Sequence, residues 1–507
     1  MRILVWHGWT LEGSGSSVVT ARTSESWRAA GHDVLLLCQE RHADRYPWID
    51  ADGEVDGNGP NGLTERSDRR GAGRCVLLRP RVGPTLPVFV VDRYEGFDDV
   101  RAFVDLTDDE LEVYLQANVE ALGAAAEWHG SEAVVMGHAI PGPVIGRRAL
   151  GPGRYVAKIH GSDLEFAVRL QDRYRELARE GLGGARAVLG PGAEVLERCA
   201  RLVPEMRDLA RIVQPGVDVA SFRPRPRAEA LIDVADRLEL DPETARGRPS
   251  ELDEQVERAL DARDATALDA IATTYAQEVP EPGAAAGLRA LAGDTSPIVG
   301  YLGKLIPQKG VELVLAAHRA LRADTEALIV GFGSYRDWLA ALEIALRRGD
   351  GGGLEWLREV RAMPIGDGLQ DPRPTGSRGV TFTGRLDHRY APGALAAMDI
   401  LVVPSILSEA FGMVAAEGAA AGALPLVARH SGLAEVAAAL EAEVSRPGLC
   451  SFEPGEGAVE RLIEGLERLL SLASQERDEL RLAMSAFVGR EWTWDRTASK
   501  ILAAARS

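Results

Sequence analysis

Lysine is nearly absent from this 507-residue chain: Lys158, Lys304, Lys309 and Lys500 are the only four, and arginine supplies the rest of the positive charge. Positive charge is itself in deficit, with 58 Lys and Arg against 76 Asp and Glu and a net charge of −18. A general nucleic-acid binder needs a basic face to neutralise phosphates, so that class is excluded, and any bound anion must be held by a local site. Cysteine is equally sparse. Cys38, Cys75, Cys199 and Cys450 stand singly with no CxxC or Cys/His spacing, which argues against a disulfide framework or a zinc site and leaves small buried hydrophobes. No stretch approaches the roughly 18 uninterrupted apolar residues of a membrane span, and "MRILVWHGW" holds too short an apolar run for a signal peptide. The expectation is a cytoplasmic protein. At 46% hydrophobic and 26% charged residues, it has material for two or more domains with their own cores.

What is present is an alternation of strands and helices. "RILVW" (2–6) precedes the glycine-rich loop "LEGSGSSV", a helical stretch through Trp27, a helix stop at Gly31 and a second strand in "GHDVLLLC". That order makes a βαβ unit and implies a parallel sheet. Further strands are expected at 88–91, 133–138, 155–160, 187–190 and 211–216, each ending in glycine, histidine or a turn, which points to a site along the carboxyl edge of the sheet. A second series covers 297–303, 326–333, 379–384, 399–405 and 423–428. The fold class is therefore α/β, two doubly wound domains in tandem. Residues 225–295 differ: rich in Ala, Asp, Glu and Arg and punctuated by prolines, they fit either a helical insertion or a partly disordered linker.

Two of the four lysines share one loop, "GKLIPQKG" (303–310), between a strand and a helix expected to open near Gly310. A helix start offers unpaired N–H groups and the positive end of the dipole, which suits a phosphate, and Lys304 and Lys309 could complete a diphosphate clamp. The alternative is a pair of solvated surface lysines. A second element, "SEAFGMVAAEGAAAGALPLV", places Glu409 and Glu417 eight residues apart around a helix expected from near Gly412 to Gly422. Its alanines allow close packing on the sheet, and the N–H groups of Phe411, Gly412, Met413 and Val414 point toward a second edge of the same anion. Glu409 can accept from sugar hydroxyls, and the Glu417 carboxylate matches a ribose diol.

These motifs resemble those of the retaining glycosyltransferases of family four, whose fold is GT-B: two Rossmann-like domains facing a central cleft. The resemblance spans most of the chain outside 225–295. It is carried by the Glu-x7-Glu element "EAFGMVAAE", by "GKLIPQKG", where that family commonly has arginine at the position of Lys304, and by "QPGVDVASFRP" and "GHDVLLL". It implies an acceptor-side domain at 1–224, an insertion at 225–295, a nucleotide-sugar domain at 296–488 and a C-terminal helix, 489–507, crossing back to the first domain. The implied catalytic residues are His160, Lys304, Lys309 and Glu409. Implied donor contacts are Gly13, Gly15, Gly303, Gly331, Gly333, Leu386, Ala410, Phe411, Gly412, Met413, Val414 and Glu417, the base being read near 330–333 and 383–388. The first loop, Gly13-Ser14-Gly15, departs from the double glycine often seen. His160, in "KIHGSD", would contact the transferring sugar, and Asp163 would orient His160 or cap the next helix.

The implied reaction transfers a sugar from a nucleoside-diphosphate sugar to an acceptor hydroxyl with its anomeric configuration kept. It needs no metal and no cofactor, and the donor phosphate helps to deprotonate the acceptor. No Asp-x-Asp motif of the metal-dependent sugar transferases stands in an equivalent place. Rival readings are a sugar-nucleotide epimerase of the same architecture, which should bring extra carboxylates as acid and base, and a non-catalytic nucleotide-sugar-binding protein. Partners are the donor and a small-molecule or glycan acceptor, without nucleic acid; peripheral membrane contact stays open. The base, the sugar, the acceptor and the oligomeric state are not fixed by these residues. The acceptor is expected to be read by loops of the first domain, including the glycine-rich stretch 52–74.

Overall fold

A computed structural model of the chain describes residues 1–66, 72–90, 96–275, 278–365 and 379–506. It divides into two compact units, Met1–Gly216 with Trp492–Ser507, and Val217–Glu491. These divisions fall after Gly216 and after Glu491, where the resemblance implies them after Pro224 and after Val488.

The first unit is built on strands β1 (Arg2–Trp6), β2 (Asp33–Leu37), β3 (Ala51–Asp56), β4 (Gly59–Glu65), β5 (Arg74–Pro80), β6 (Thr85–Val88), β7 (Asp99–Ala102), β8 (Ala133–Gly137), β9 (Val156–Lys158), β10 (Val188–Gly190) and β11 (Ala210–Ile212). Nine of them form one sheet in the order β11-β10-β9-β8-β1-β2-β5-β3-β4, parallel except for the β3–β4 hairpin. Central strands are apolar on both faces because helices cover both. In β1, Leu4 and Trp6 enter one core while Ile3 and Val5 enter the other. The second core is closed by helices Gly15–Ala29 and Trp494–Arg506, where the Trp27 ring N–H donates to the Ala498 carbonyl at 3.0 Å.

Two expectations need correction here. The stretch 52–74 is not simply a loop: its first part is the β3–β4 hairpin and its end opens β5, while residues 67–71 lie outside the described residues. A strand at 88–91 is also misplaced. Thr85–Val88 pairs with Asp99–Ala102 in a separate two-stranded sheet, and Val91 lies outside the described residues.

The second unit carries β12 (Ile298–Leu302), β13 (Glu326–Val330), β14 (Val380–Phe382), β15 (Ile400–Val403), β16 (Leu424–Ala428) and β17 (Ser451–Phe452), all parallel, in the order β14-β13-β12-β15-β16-β17. The strand β17 is too short to stand out in sequence. Strand order reverses between β12 and β15, and such a switch point opens a crevice beyond the carboxyl ends of the strands. In the first unit the same reversal lies between β1 and β8.

Residues 225–295 contain the helices Arg227–Glu239, Leu252–Asp261, Ala265–Ile271 and Ala284–Gly293, and they pack into the second unit. The segment is helical at these four places. Its anchors are buried ion pairs: Arg248 Nε donates to Asp337 at 2.7 Å, and Arg336 grips Glu281 with Nε at 2.7 Å and Nη2 at 3.0 Å. The Arg336 guanidinium also lies 3.8 Å above the Phe382 ring centre.

Candidate functional site

In the second unit the loop after β12 turns through Pro307–Lys309 into helix Val311–Ala320, with Gly310 as its N-cap at φ +66°. Only glycine suits this place, since a β-carbon on Gly310 would lie 2.4 Å from the Pro404 carbonyl oxygen. The loop is thereby pressed against the one after β15. The result is a direct ion pair between Lys309 and Glu409, whose side chains are 30% and 24% exposed. Ser405 Oγ donates to the same carboxylate oxygen, Oε1, at 2.7 Å.

Lys304 goes elsewhere. It is exposed, has no carboxylate partner among the described residues, and its ammonium lies 5.9 Å from the centre of the Phe332 ring, which also carries the Arg385 guanidinium at 5.6 Å. The structure thus joins Lys309 to Glu409 and sets Lys304, earlier on the same loop, against Phe332. The glycines Gly303, Gly331 and Gly333 allow these loops to touch backbone to backbone: a β-carbon on Gly331 would meet the Gly303 carbonyl at 2.0 Å, and one on Gly333 the Leu305 carbonyl at 2.3 Å.

Helix Met413–Ala421 begins at Gly412 and ends at Gly422, as the sequence suggests. Ala415, Ala416, Ala419 and Ala420 are all buried, and Gly418 lets the helix approach Leu401 of β15. Ala410, Phe411, Met413 and Val414 place the helix entry beside Glu409. Glu417 follows one turn further on, nearly buried, with His388 Nε2 at 3.9 Å from its Oε1. Leu386, on the loop after β14, is buried.

The turn after β16 interlocks with this entry. Gly432 N–H donates to the Glu409 carbonyl at 2.9 Å, and Glu409 N–H donates to Ser431 Oγ at 2.9 Å. A β-carbon on Gly432 would lie 2.5 Å from the Phe411 nitrogen. Ser405, His430 and Ser431 escaped the sequence reading, although each sits just past a strand end, where such signals are expected.

In the first unit His160 follows β9 at the carboxyl edge and does not stand alone. Its ring centre is 4.7 Å from that of His138, which follows β8, and His138 is 6.0 Å from His7, which follows β1. Trp9 and Phe89 complete an aromatic enclosure around His138 at 4.7 and 5.1 Å. Burial, with the neighbouring basic groups, lowers His7 and His138 to about 3 and holds His160 well below its ordinary value, so all three are neutral imidazoles near pH 7. Asp163 caps the turn Leu164–Val168 and accepts the N–H groups of Gly161 at 2.8 Å, Leu164 at 2.9 Å and Ala139 at 2.5 Å. It therefore caps the turn and ties the loop of His160 to the loop of His138, and the imidazole its carboxylate approaches is that of His138, with Oδ2 3.7 Å from Nδ1. Gly13 and Gly15 are exposed, and between them Ser14 caps helix Gly15–Ala29 through Ser17 N–H at 3.1 Å.

Lys158 is buried in this region without an ion pair among the described residues, and burial lowers its pKa from 10.5 to about 7. Between those two values the unfolded chain binds more protons than the native one, so stability rises with pH across the window and the full penalty is felt below about 7. Lys158→Met should therefore stabilise the protein by on the order of 2–4 kcal/mol at or below neutral pH, with the gain fading toward pH 10. Melting temperatures of both forms across that pH range check the sign.

Among the described residues no group of three or more His, Cys, Asp or Glu is placed to hold a metal ion, and no helix is long and apolar enough to cross a membrane. The four cysteines are free and buried.

Residues 296–471 match the family model described as Glycosyl transferases group 1. A "Glycogen synthase 2" of Nitrosococcus oceani is 25% identical over 207 residues, which is 40% of this chain and 36% of that protein. A GDP-mannose-dependent monoacylated alpha-(1-6)-phosphatidylinositol monomannoside mannosyltransferase of Corynebacterium glutamicum is 28% identical over 217 residues, 40% of this chain and 45% of that protein. In these matches the chain spans less than half of either relative's length. Among solved structures, sucrose-phosphate synthase from Thermosynechococcus elongatus aligns over 100% of this chain and 98% of its own, at 18% identity and TM-score 0.57. Anabaena HepE in complex with UDP-glucose aligns over 99% and 98%, at 12% identity and TM-score 0.55. The starch synthase IV catalytic domain from Arabidopsis thaliana, bound to ADP and acarbose, aligns over 100% and 98%, at 12% identity and TM-score 0.54. The chain has the GT-B fold of these transferases, and its segment 296–471 matches the group 1 glycosyltransferase family model.

Proposed function

We propose that the protein is a retaining, metal-independent glycosyltransferase that moves a sugar from a nucleoside-diphosphate sugar to an acceptor hydroxyl. The observation that carries this reading is the Lys309–Glu409 pair, set at the switch point of the second sheet beside the starts of helices Val311–Ala320 and Met413–Ala421. A cation and two helix N-termini at one sheet edge suit a diphosphate, and the adjoining carboxylate suits sugar hydroxyls. Lys309, with Lys304 from the same loop, offsets the charge that grows on the β-phosphate as the glycosidic bond breaks, which is usually the largest contribution to such catalysis. Glu417 takes the ribose diol. In the first unit His160, a neutral imidazole, serves the transferring sugar through a hydrogen bond rather than as a cation. The complexes of HepE with UDP-glucose and of starch synthase IV with ADP and acarbose support a nucleoside-diphosphate donor.

A two-part experiment tests the reading. UDP, GDP and ADP are first screened by thermal shift; a ligand bound only by the native state at about 100 times its Kd adds roughly 2.7 kcal/mol of stability. UDP-glucose, GDP-mannose and ADP-glucose are then incubated with the protein. Slow release of free diphosphate supports the transferase, and a changed sugar still attached to its nucleotide supports an epimerase. Absence of any shift with all three diphosphates would sink both.

A further inference from the structure

The carboxylate of Glu409 closes a ring of hydrogen bonds drawn from two separate loops. Glu409 N–H donates to Ser431 Oγ at 2.9 Å, and Ser431 Oγ lies 3.0 Å from His430 Nδ1. His430 Nε2 is 2.6 Å from the Ser405 carbonyl oxygen, and Ser405 Oγ returns to Glu409 Oε1 at 2.7 Å. Each proton can be assigned. A carbonyl only accepts, so His430 carries a proton on Nε2; in the neutral form of the ring Nδ1 is the acceptor and takes the Ser431 O–H, whose oxygen receives the Glu409 amide. The ring fixes both the backbone and the side chain of Glu409.

One member of this ring has an unfavourable backbone. Ser431 stands at φ +48°, the left-handed region that a non-glycine residue enters at a cost. Its successor is a glycine, so small residues are accepted in this turn, yet the position that needs positive φ keeps a hydroxyl. Persistent strain of this kind, next to a functional group, is a mark of a position held for its side chain.

We propose that Ser431 and His430 are positioning residues that set the Glu409 carboxylate, Ser431 by bridging the Glu409 amide to the imidazole and His430 by anchoring Ser405. The catalytic part rests on the reading of Glu409 as the residue that meets the transferring sugar; the structural part does not.

Ser431→Gly separates this role from a merely structural one, because it removes the hydroxyl and relieves the strain together. The expected melting temperature is unchanged or higher by about 1–3 °C. Amide hydrogen exchange in the 405–412 segment should nevertheless accelerate about tenfold, since the Glu409 N–H loses its acceptor. With UDP-glucose, GDP-mannose or ADP-glucose, whichever the wild type turns over, kcat should fall about tenfold while KM stays within about twofold. Ser431→Asn is the rescue variant: asparagine tolerates left-handed backbone and brings an acceptor oxygen, so exchange and kcat should both recover in part. Unchanged exchange in Ser431→Gly, or a sharp drop in its melting temperature, overturns the proposal. If Glu409→Gln leaves turnover intact while Ser431→Gly still loosens the loop, the functional reading of Glu409 fails and the positioning stands. If Glu409→Gln is inactive while Ser431→Gly matches the wild type throughout, the positioning alone fails.

Discussion

Lys309→Met is expected to lower the turnover of a nucleotide sugar by about 10²–10³-fold, the loss typical of removing one preorganised group that faces developing charge. Methionine keeps the length of the stem and deletes the ammonium, so the change tests charge rather than packing. The Lys309–Glu409 pair is partly open to solvent, at 30% and 24% exposure, so its contribution to folding is small, up to about 1 kcal/mol, and the melting temperature should barely move. Lys304→Met provides the contrast. Lys304 is exposed and rests against Phe332 rather than a carboxylate, so it can only assist, and a loss nearer tenfold is expected. Initial rates of diphosphate release give both numbers. Equal losses at the two lysines would mean that the direct pairing of Lys309 with Glu409 confers no special role.

The largest expected effect on folding lies at Asp337. Its carboxylate is fully buried; it accepts from Arg248 Nε at 2.7 Å and from the Tyr275 hydroxyl at 3.1 Å, and the Arg248 side chain is only 2% exposed. Asp337→Ala strands that guanidinium, leaving it Asp253, whose side chain is 56% exposed. Breaking one side of a buried pair costs about 3–5 kcal/mol, so the second unit should unfold well below the wild-type temperature in differential scanning calorimetry. Replacing both partners, Arg248→Met with Asp337→Leu, should restore most of the loss, because no uncompensated charge is left behind. A loss below about 1 kcal/mol in the single variant would show that the insertion is held by its apolar contacts instead.

How far the sequence reveals this protein differs from element to element. The strands β1, β2, β8, β12, β13, β15 and β16 are runs of Ile, Val and Leu that are buried on both faces, so composition alone marks them. The β3–β4 hairpin is hidden because it lies at the sheet edge. Most of β4 is exposed and polar, and the turn residues Gly57 and Asn58 are the one local sign of a reversal. Residues 225–295 read ambiguously because what orders them comes from far along the chain: Arg248 finds Asp337 and Glu281 finds Arg336, and neither partner can be inferred from local pattern.

The same holds for the candidate site. Lys309 and Glu409 stand out through the scarcity of lysine and through the glycines that bound the helix at 413–421. Ser431 looks like an ordinary helix start, and its backbone angle and its hydrogen bond to Glu409 exist only in three dimensions. Likewise His7 and His138 are in sequence two single histidines after separate strands; the parallel order β2-β1-β8-β9 brings them to one edge with His160.

The return of helix Trp494–Arg506 to the first unit bears on the protein's birth. Trp27, 2% exposed, gives its ring N–H to Ala498, and Ile501 is fully sequestered in the same core. While the ribosome is still translating the residues between Gly216 and Trp494, that indole face has no cover, so the first unit must wait, incomplete, until helix Trp494–Arg506 has been made. A fragment cut after Gly216 is thus expected to be sticky in solution, and one that also carries helix Trp494–Arg506 through a short graft is the better choice for producing the first unit alone.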